Sequence, residues 1–184
     1  MYRVLSLLLT VPVCLTNAQV PGFGGCPKVQ AQATLDVQKY LGDWFEILAF
    51  PFLLESGKCS RATYSLKQDG HIQVYNRGVQ KDGKQFSAVG DAFAPNASEP
   101  AKLLVKFSNS SPYANYWVVD TDYDTYTLIF SCEPLTGLAH VNFAWILARN
   151  RTLDASVVQS LEGKLANFGV DTSKFRATDQ SGCP

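Results

Sequence analysis

The 184-residue chain has only two histidines and one methionine, and neither sign of charge is in excess, with 16 Lys and Arg against 16 Asp and Glu and no run of either. Balanced, dispersed charge excludes an electrostatic stripe for nucleic acid and a polybasic membrane patch. The two imidazoles, His71 and His140, do not form a pair at helical spacing, and each stands beside a turn or loop, where a solvated ring is expected. There is no nucleophile elbow and no glycine-rich phosphate cradle. Hydrolase and nucleotide-dependent chemistry therefore find no support. No stretch approaches the roughly 20 apolar residues of a membrane-spanning helix.

Residues 1–18 read as a secretory signal: Arg3, an apolar run from Val4 to Leu15, and the small-residue end Thr16-Asn17-Ala18. Cleavage after Ala18 leaves residues 19–184 as a single domain, secreted and extracellular. Cys14 leaves with the signal. Cys26, Cys59, Cys132 and Cys183 remain, an even set that an oxidising compartment joins into two disulfides by any of three connectivities. Their spacings are too wide for a structural zinc site.

The body of the chain is a succession of short β patterns. Gly42 to Phe50 opens it, with Trp44 aimed at a core; Arg61 to Lys67 alternates; Asp69-Gly70 turns into Ile72 to Val79; Asp82-Gly83 turns into Gln85 to Phe93. Lys102 to Phe107, Asn115 to Asp120, Thr125 to Cys132 and Val141 to Ala148 follow. Leu153 to Phe168 breaks the pattern with a helical stripe of Val157, Val158, Leu161, Leu165 and Phe168, N-capped by Thr152 or Asp154 and ended by Gly169, and a short strand is expected near Lys174 to Thr178. The expected fold is all-β: about eight antiparallel strands in an up-and-down meander closed into a barrel, with one C-terminal helix on its wall.

Strand parity projects Tyr64, Ile72, Val74, Asn76, Phe86, Ala88, Ala92, Val105, Phe107, Tyr116, Val118, Phe130, Phe143 and Trp145 inward. That lining is apolar and aromatic, suited to a flat or chain-like ligand whose one polar end meets Tyr64, Asn76 or Tyr116. Sequons at Asn96, Asn109 and Asn150 are candidate glycosylation sites, Asn96 in a turn-rich loop being the best placed.

Gly42-Asp43-Trp44, Thr121-Asp122-Tyr123 and Arg149 resemble, in order and separation, the three short motifs of the lipocalin family. Within it, Val37 to Ile47, Asn96 to Leu103, Tyr116 to Tyr123, Phe143 to Asn150 and Thr178 to Pro184 resemble the apolipoprotein D branch and its arthropod relatives. The resemblance implies that Arg149 lies across Trp44 to seal the narrow end. It also implies pairing of Cys26 with Cys132 and Cys59 with Cys183, and ligand contacts at Tyr64, Asn76, Phe107, Tyr116 and Trp145. The expected function is a carrier of a sterol, fatty acid or related lipid, monomeric, with no catalytic residue, cofactor or metal. The alternatives are a bilin or carotenoid pigment carrier and an extracellular interaction protein with an unused interior. An isomerase of the prostaglandin type needs a free thiol in the barrel, and none is left over. The loop at Asn109-Ser110-Ser111 is polar where that branch is apolar, which removes one route to membrane insertion. Phe52-Leu53-Leu54 at the mouth are read as a lid, with membrane or receptor contact as the other possibility.

Overall fold

The computed structural model describes residues 20–51, 57–135 and 138–184. The signal segment and Phe52-Leu53-Leu54 lie outside the described residues.

The strands are β1 Val20–Phe23, β2 Gly42–Ala49, β3 Gly57–Leu66, β4 Ile72–Gln80, β5 Gln85–Phe93, β6 Lys102–Lys106, β7 Ala114–Thr121, β8 Tyr126–Leu135, β9 Ala139–Ala148 and β10 Arg176–Ala177. From β2 to β9 each strand pairs antiparallel with the next, and β9 returns to pair with β2, Phe45 opposite Ala148 and Ala49 opposite Trp145. This closes an eight-stranded meander into a barrel without a free edge. The turn chemistry that directs it is visible at Gly70 and Gly83, both at positive φ, whose N–H groups close back onto the Lys67 and Gln80 carbonyls. A short helix, α1 Val37–Tyr40, capped by Asp36, leads into β2.

Helix α2, Ala155–Ala166, is capped by Asp154, whose side chain accepts from Ser156 N–H at 2.8 Å, and ends where Gly169, at φ 81°, lets Val170 N–H reach the Leu165 carbonyl. Its Leu161 and Leu165 pack on Leu128, Phe130, Ala144 and Ile146 on the outer wall of the barrel. Phe130 is therefore an outer-wall residue, contrary to the parity reading. Thr127 to Cys132 is buried on both faces, one by the barrel interior and one by α2, so its apolar alternation carries no information about direction. Ile129 occupies the inward position instead.

Two elements extend the sheet beyond the barrel. β1 pairs with the start of β9, placing Gly22 opposite His140, and a Cβ at Gly22 would fall 2.2 Å from the His140 ring. That close cover buries His140, which sits beside the Gly24 carbonyl and Asn142 rather than in solvent. β10 adds to β2 at Leu48 and Ala49, beyond the Gly42–Phe45 stretch that pairs with β3. The Gln180 amide bridges the split by donating to the Glu46 and Ser60 carbonyls, each at 2.8 Å. Cys26–Cys132 and Cys59–Cys183 are both bonded, tying the first arm to β8 and the tail to β3.

Candidate functional site

The base of the barrel is sealed by side chains that satisfy one another. Trp44 and Tyr40 are fully buried, and the indole N–H donates to the Tyr40 carbonyl at 2.8 Å. Gly42 takes φ 93°, a conformation that L side chains rarely adopt, to bring the chain under Arg149. Arg149 lies over the Trp44 ring at 3.7 Å and donates to the carbonyls of Lys39, Asp43 and Tyr123. The Thr121-Asp122-Tyr123 turn presents the last of these. Asp122 Oδ1 accepts from the N–H groups of Asp124, Thr125 and Tyr126, and Thr121 Oγ1 holds the N–H of Tyr123, which sits at φ 70°. Burial opposes ionisation of the Asp122 carboxyl, yet those backbone donors prevail and lower its pKa.

Above this base the interior is a ladder of rings. Tyr40 approaches Tyr64 at 5.3 Å, Tyr64 approaches Tyr116 at 6.5 Å, Tyr116 stacks near Trp145 at 6.5 Å, and Trp145 lies parallel to Phe143 at 6.1 Å. The Tyr64 and Tyr116 hydroxyls are 2.7 Å apart, with Tyr40 and Thr127 completing the network below. Burial pushes the Tyr116 hydroxyl well above the ordinary tyrosine pKa, and the neighbouring Tyr40 and Tyr64 add to the shift, so it stays neutral.

One cavity touches all five positions that the resemblance singled out: Tyr64, Asn76, Phe107, Tyr116 and Trp145. Sequence reasoning missed Ala62, Ile129, Leu147 and the buried carboxylate of Glu46, which also line it. Ala62 and Leu147 were legible as partners of inward residues, since Ala62 stands opposite Trp44; Glu46 was hidden because an acidic residue is not expected inside. The hydroxyls of Tyr64 and Tyr116 are engaged with each other. The Asn76 amide has no protein hydrogen-bond partner among the described residues and is half-buried. This cavity is narrow, with an open space of about 80 Å³, against the roughly 300 Å³ at which drug-sized ligands are usually enclosed. Two rings near the mouth account for part of this. Phe86 lies so close over Gly78, and Phe107 over Gly90, that a Cβ at either glycine would come within 2.5 Å and 2.8 Å of the rings.

The model of the lipocalin-like domain matches residues 35–180. The chain is a lipocalin. It is 41% identical to mouse apolipoprotein D over 186 residues, covering all of this chain and 98% of that one. The Lazarillo protein of the grasshopper Schistocerca americana is 30% identical, with 85% of this chain and 75% of the relative covered. Among solved structures, insecticyanin from the tobacco hornworm Manduca sexta superposes with a TM-score of 0.76 at 29% identity, covering 89% of this chain and 90% of that one. Lipocalin barrels bind small hydrophobic molecules, and the sealed base and aromatic ladder of this lipocalin suit that chemistry. Among the described residues no three His, Cys, Asp or Glu side chains gather as a metal site would require. No helix among the described residues is long and apolar enough to cross a membrane.

Of the sequons, Asn96, Asn109 and Asn150 are all exposed. Asn150 follows the barrel-sealing Arg149 yet faces solvent. Asn96 Oδ1 accepts from both Ser98 N–H and Ser98 Oγ, the tight turn its loop composition suggested.

Proposed function

We propose that this lipocalin is a secreted carrier that takes a sterol, fatty acid or related lipid into the barrel, against Trp145, Tyr116, Phe86 and Phe107. The observation that carries the reading is the pairing of an aromatic, sealed interior with one uncommitted amide, Asn76, on its wall. An apolar body gains about 25 cal/mol per Å² removed from water, while a hydroxyl or carboxyl end needs one partner to offset its desolvation. Asn76 supplies that partner. The small open volume favours a flexible chain over a rigid plate, because a chain can thread between rings that each move a little. Two disulfides agree with an extracellular destination, and Phe23 and Leu138, among the most exposed apolar residues, offer contacts for a membrane or receptor at the mouth.

Titrating tryptophan fluorescence with a fatty acid, a steroid and a retinoid tests this reading. Saturable quenching by at least one, weakened in Asn76→Leu, is expected; no saturable change with any of them leaves an interaction protein as the remaining reading. A bilin or carotenoid pigment carrier, which the resemblance to arthropod lipocalins implies, is the second reading, distinguished by visible absorbance of the protein purified from its natural source.

A further inference from the structure

On the outside of the barrel, Phe45 on β2, Arg61 on β3, Arg77 on β4 and Ser87 on β5 stand in one row, each directly opposite the next across the strands. Trp44 and Ala62 point inward, so this row points out. Two arginines facing each other on neighbouring strands repel. A third guanidinium joins them. Arg151, from the loop after β9, lies 5.1 Å over the Phe45 ring, as Arg77 lies 4.8 Å over Tyr75. Cys59, Cys183 and Pro184 wall the other side, because the disulfide pins the tail there. The outcome is a groove of about 180 Å³ whose lining contains three arginines, no acidic side chain and one negative group, the terminal carboxylate of Pro184 beside Arg151.

The donors of this groove are only partly used. Arg77 Nη2 donates to Thr63 Oγ1 at 2.6 Å and reaches Asp43 at 3.4 Å, but its Nε is buried with no hydrogen-bond partner. Arg151 Nη2 donates to a carboxylate oxygen of Pro184, the last residue of the chain, at 2.7 Å, so that guanidinium already has an anionic partner. Arg61 makes no ion pair or side-chain hydrogen bond among the described residues.

We infer that this groove is an anion site for a phosphate or sulfate group, held by Arg61, Arg77 and Arg151 with Ser87 and Gln85 as neutral donors. A tetrahedral oxyanion directs oxygens toward several guanidinium forks at once, which the two oxygens of a carboxylate cannot do. It would also relieve the Arg61–Arg77 repulsion. The groove shares Arg61, Arg77 and Phe86 with the lining of the barrel cavity, whereas Arg151, Ser87 and Gln85 belong to the groove alone.

Isothermal titration calorimetry at low salt, with inorganic phosphate, inorganic sulfate, glycerol phosphate and a sulfated disaccharide as separate probes, tests it. Saturable binding of at least one probe is expected, weakened by added salt and reduced about tenfold or more in Arg61→Gln. Lipid titrations of Ser87→Asp, a position that lines the groove and not the barrel cavity, should be unchanged, which separates failure of this site from failure of the carrier reading. Binding of the inorganic ions as tightly as the esters assigns the site to the free anion; binding of the esters alone assigns it to a larger molecule bearing the group. Ser87→Asp, which puts a carboxylate into the groove without removing an arginine, should abolish binding as well. No saturable binding by any probe, or equal affinity in the wild type and both variants, overturns the inference.

Discussion

The guanidinium of Arg149 lies 3.7 Å from the centre of the Trp44 ring and bonds three backbone carbonyls, from the segment before β2, from β2 itself and from the β7–β8 turn. A lysine there keeps the charge but cannot place three donors in one plane over the indole. Arg149→Lys should therefore cost about 2–4 kcal/mol, the sum of lost charge-assisted bonds and ring contact. Urea unfolding followed by tryptophan fluorescence checks it; a loss under half a kcal/mol would mean the seal is not a keystone of the barrel.

Trp145 stands between Tyr116 and Phe143 on the cavity wall. Trp145→Ala should weaken lipid binding about tenfold, while circular dichroism shows the sheet retained. Phe86→Ala acts in the opposite direction. It removes a ring that fills the narrow space over Gly78, and should raise affinity for a bulkier ligand even as it lowers stability by about 3 kcal/mol.

The Cys59–Cys183 bridge closes a separation of 124 residues and holds Gln180 across the split between β2 and β3. Replacing both cysteines with alanine should lower stability by about 2–5 kcal/mol, and hydrogen exchange should show β10 and the tail opening before the barrel does.

Asp91 receives hydrogen bonds from Lys67, His71 and Tyr113 on the outer wall. Burial opposes its ionisation, but these three donors prevail and hold its pKa far below the ordinary 3.8. A depressed carboxyl stabilises the fold above its unfolded pKa and loses that contribution as pH falls through and below about 4 toward the folded value. Asp91→Asn should therefore be less stable than the wild type by about 2 kcal/mol at pH 7, with the gap narrowing progressively in melts taken below pH 4. A gap independent of pH would show that the carboxylate charge is not what matters.

Local chemistry made much of this lipocalin readable. Gln85 to Phe93 was bounded correctly because a Gly turn precedes it and apolar residues alternate along it; Asp154 and Gly169 mark the helix ends by their hydrogen-bonding and conformational preferences. The motifs around Trp44, Tyr123 and Arg149 were visible through their resemblance to the lipocalin family, although the bonds that join Arg149 to the other two span 26 to 110 residues. Only the folded barrel decided what depends on a second surface. Phe130 faces outward because α2 covers that wall, and His140 is buried because β1 lies across it. Arg61, Arg77 and Arg151 meet only when strands and tail are in register. The width of the interior belongs to the same class, for it is set by how rings from many strands pack against one another, and one-dimensional periodicity records which way a side chain points but not how much room remains when all have arrived.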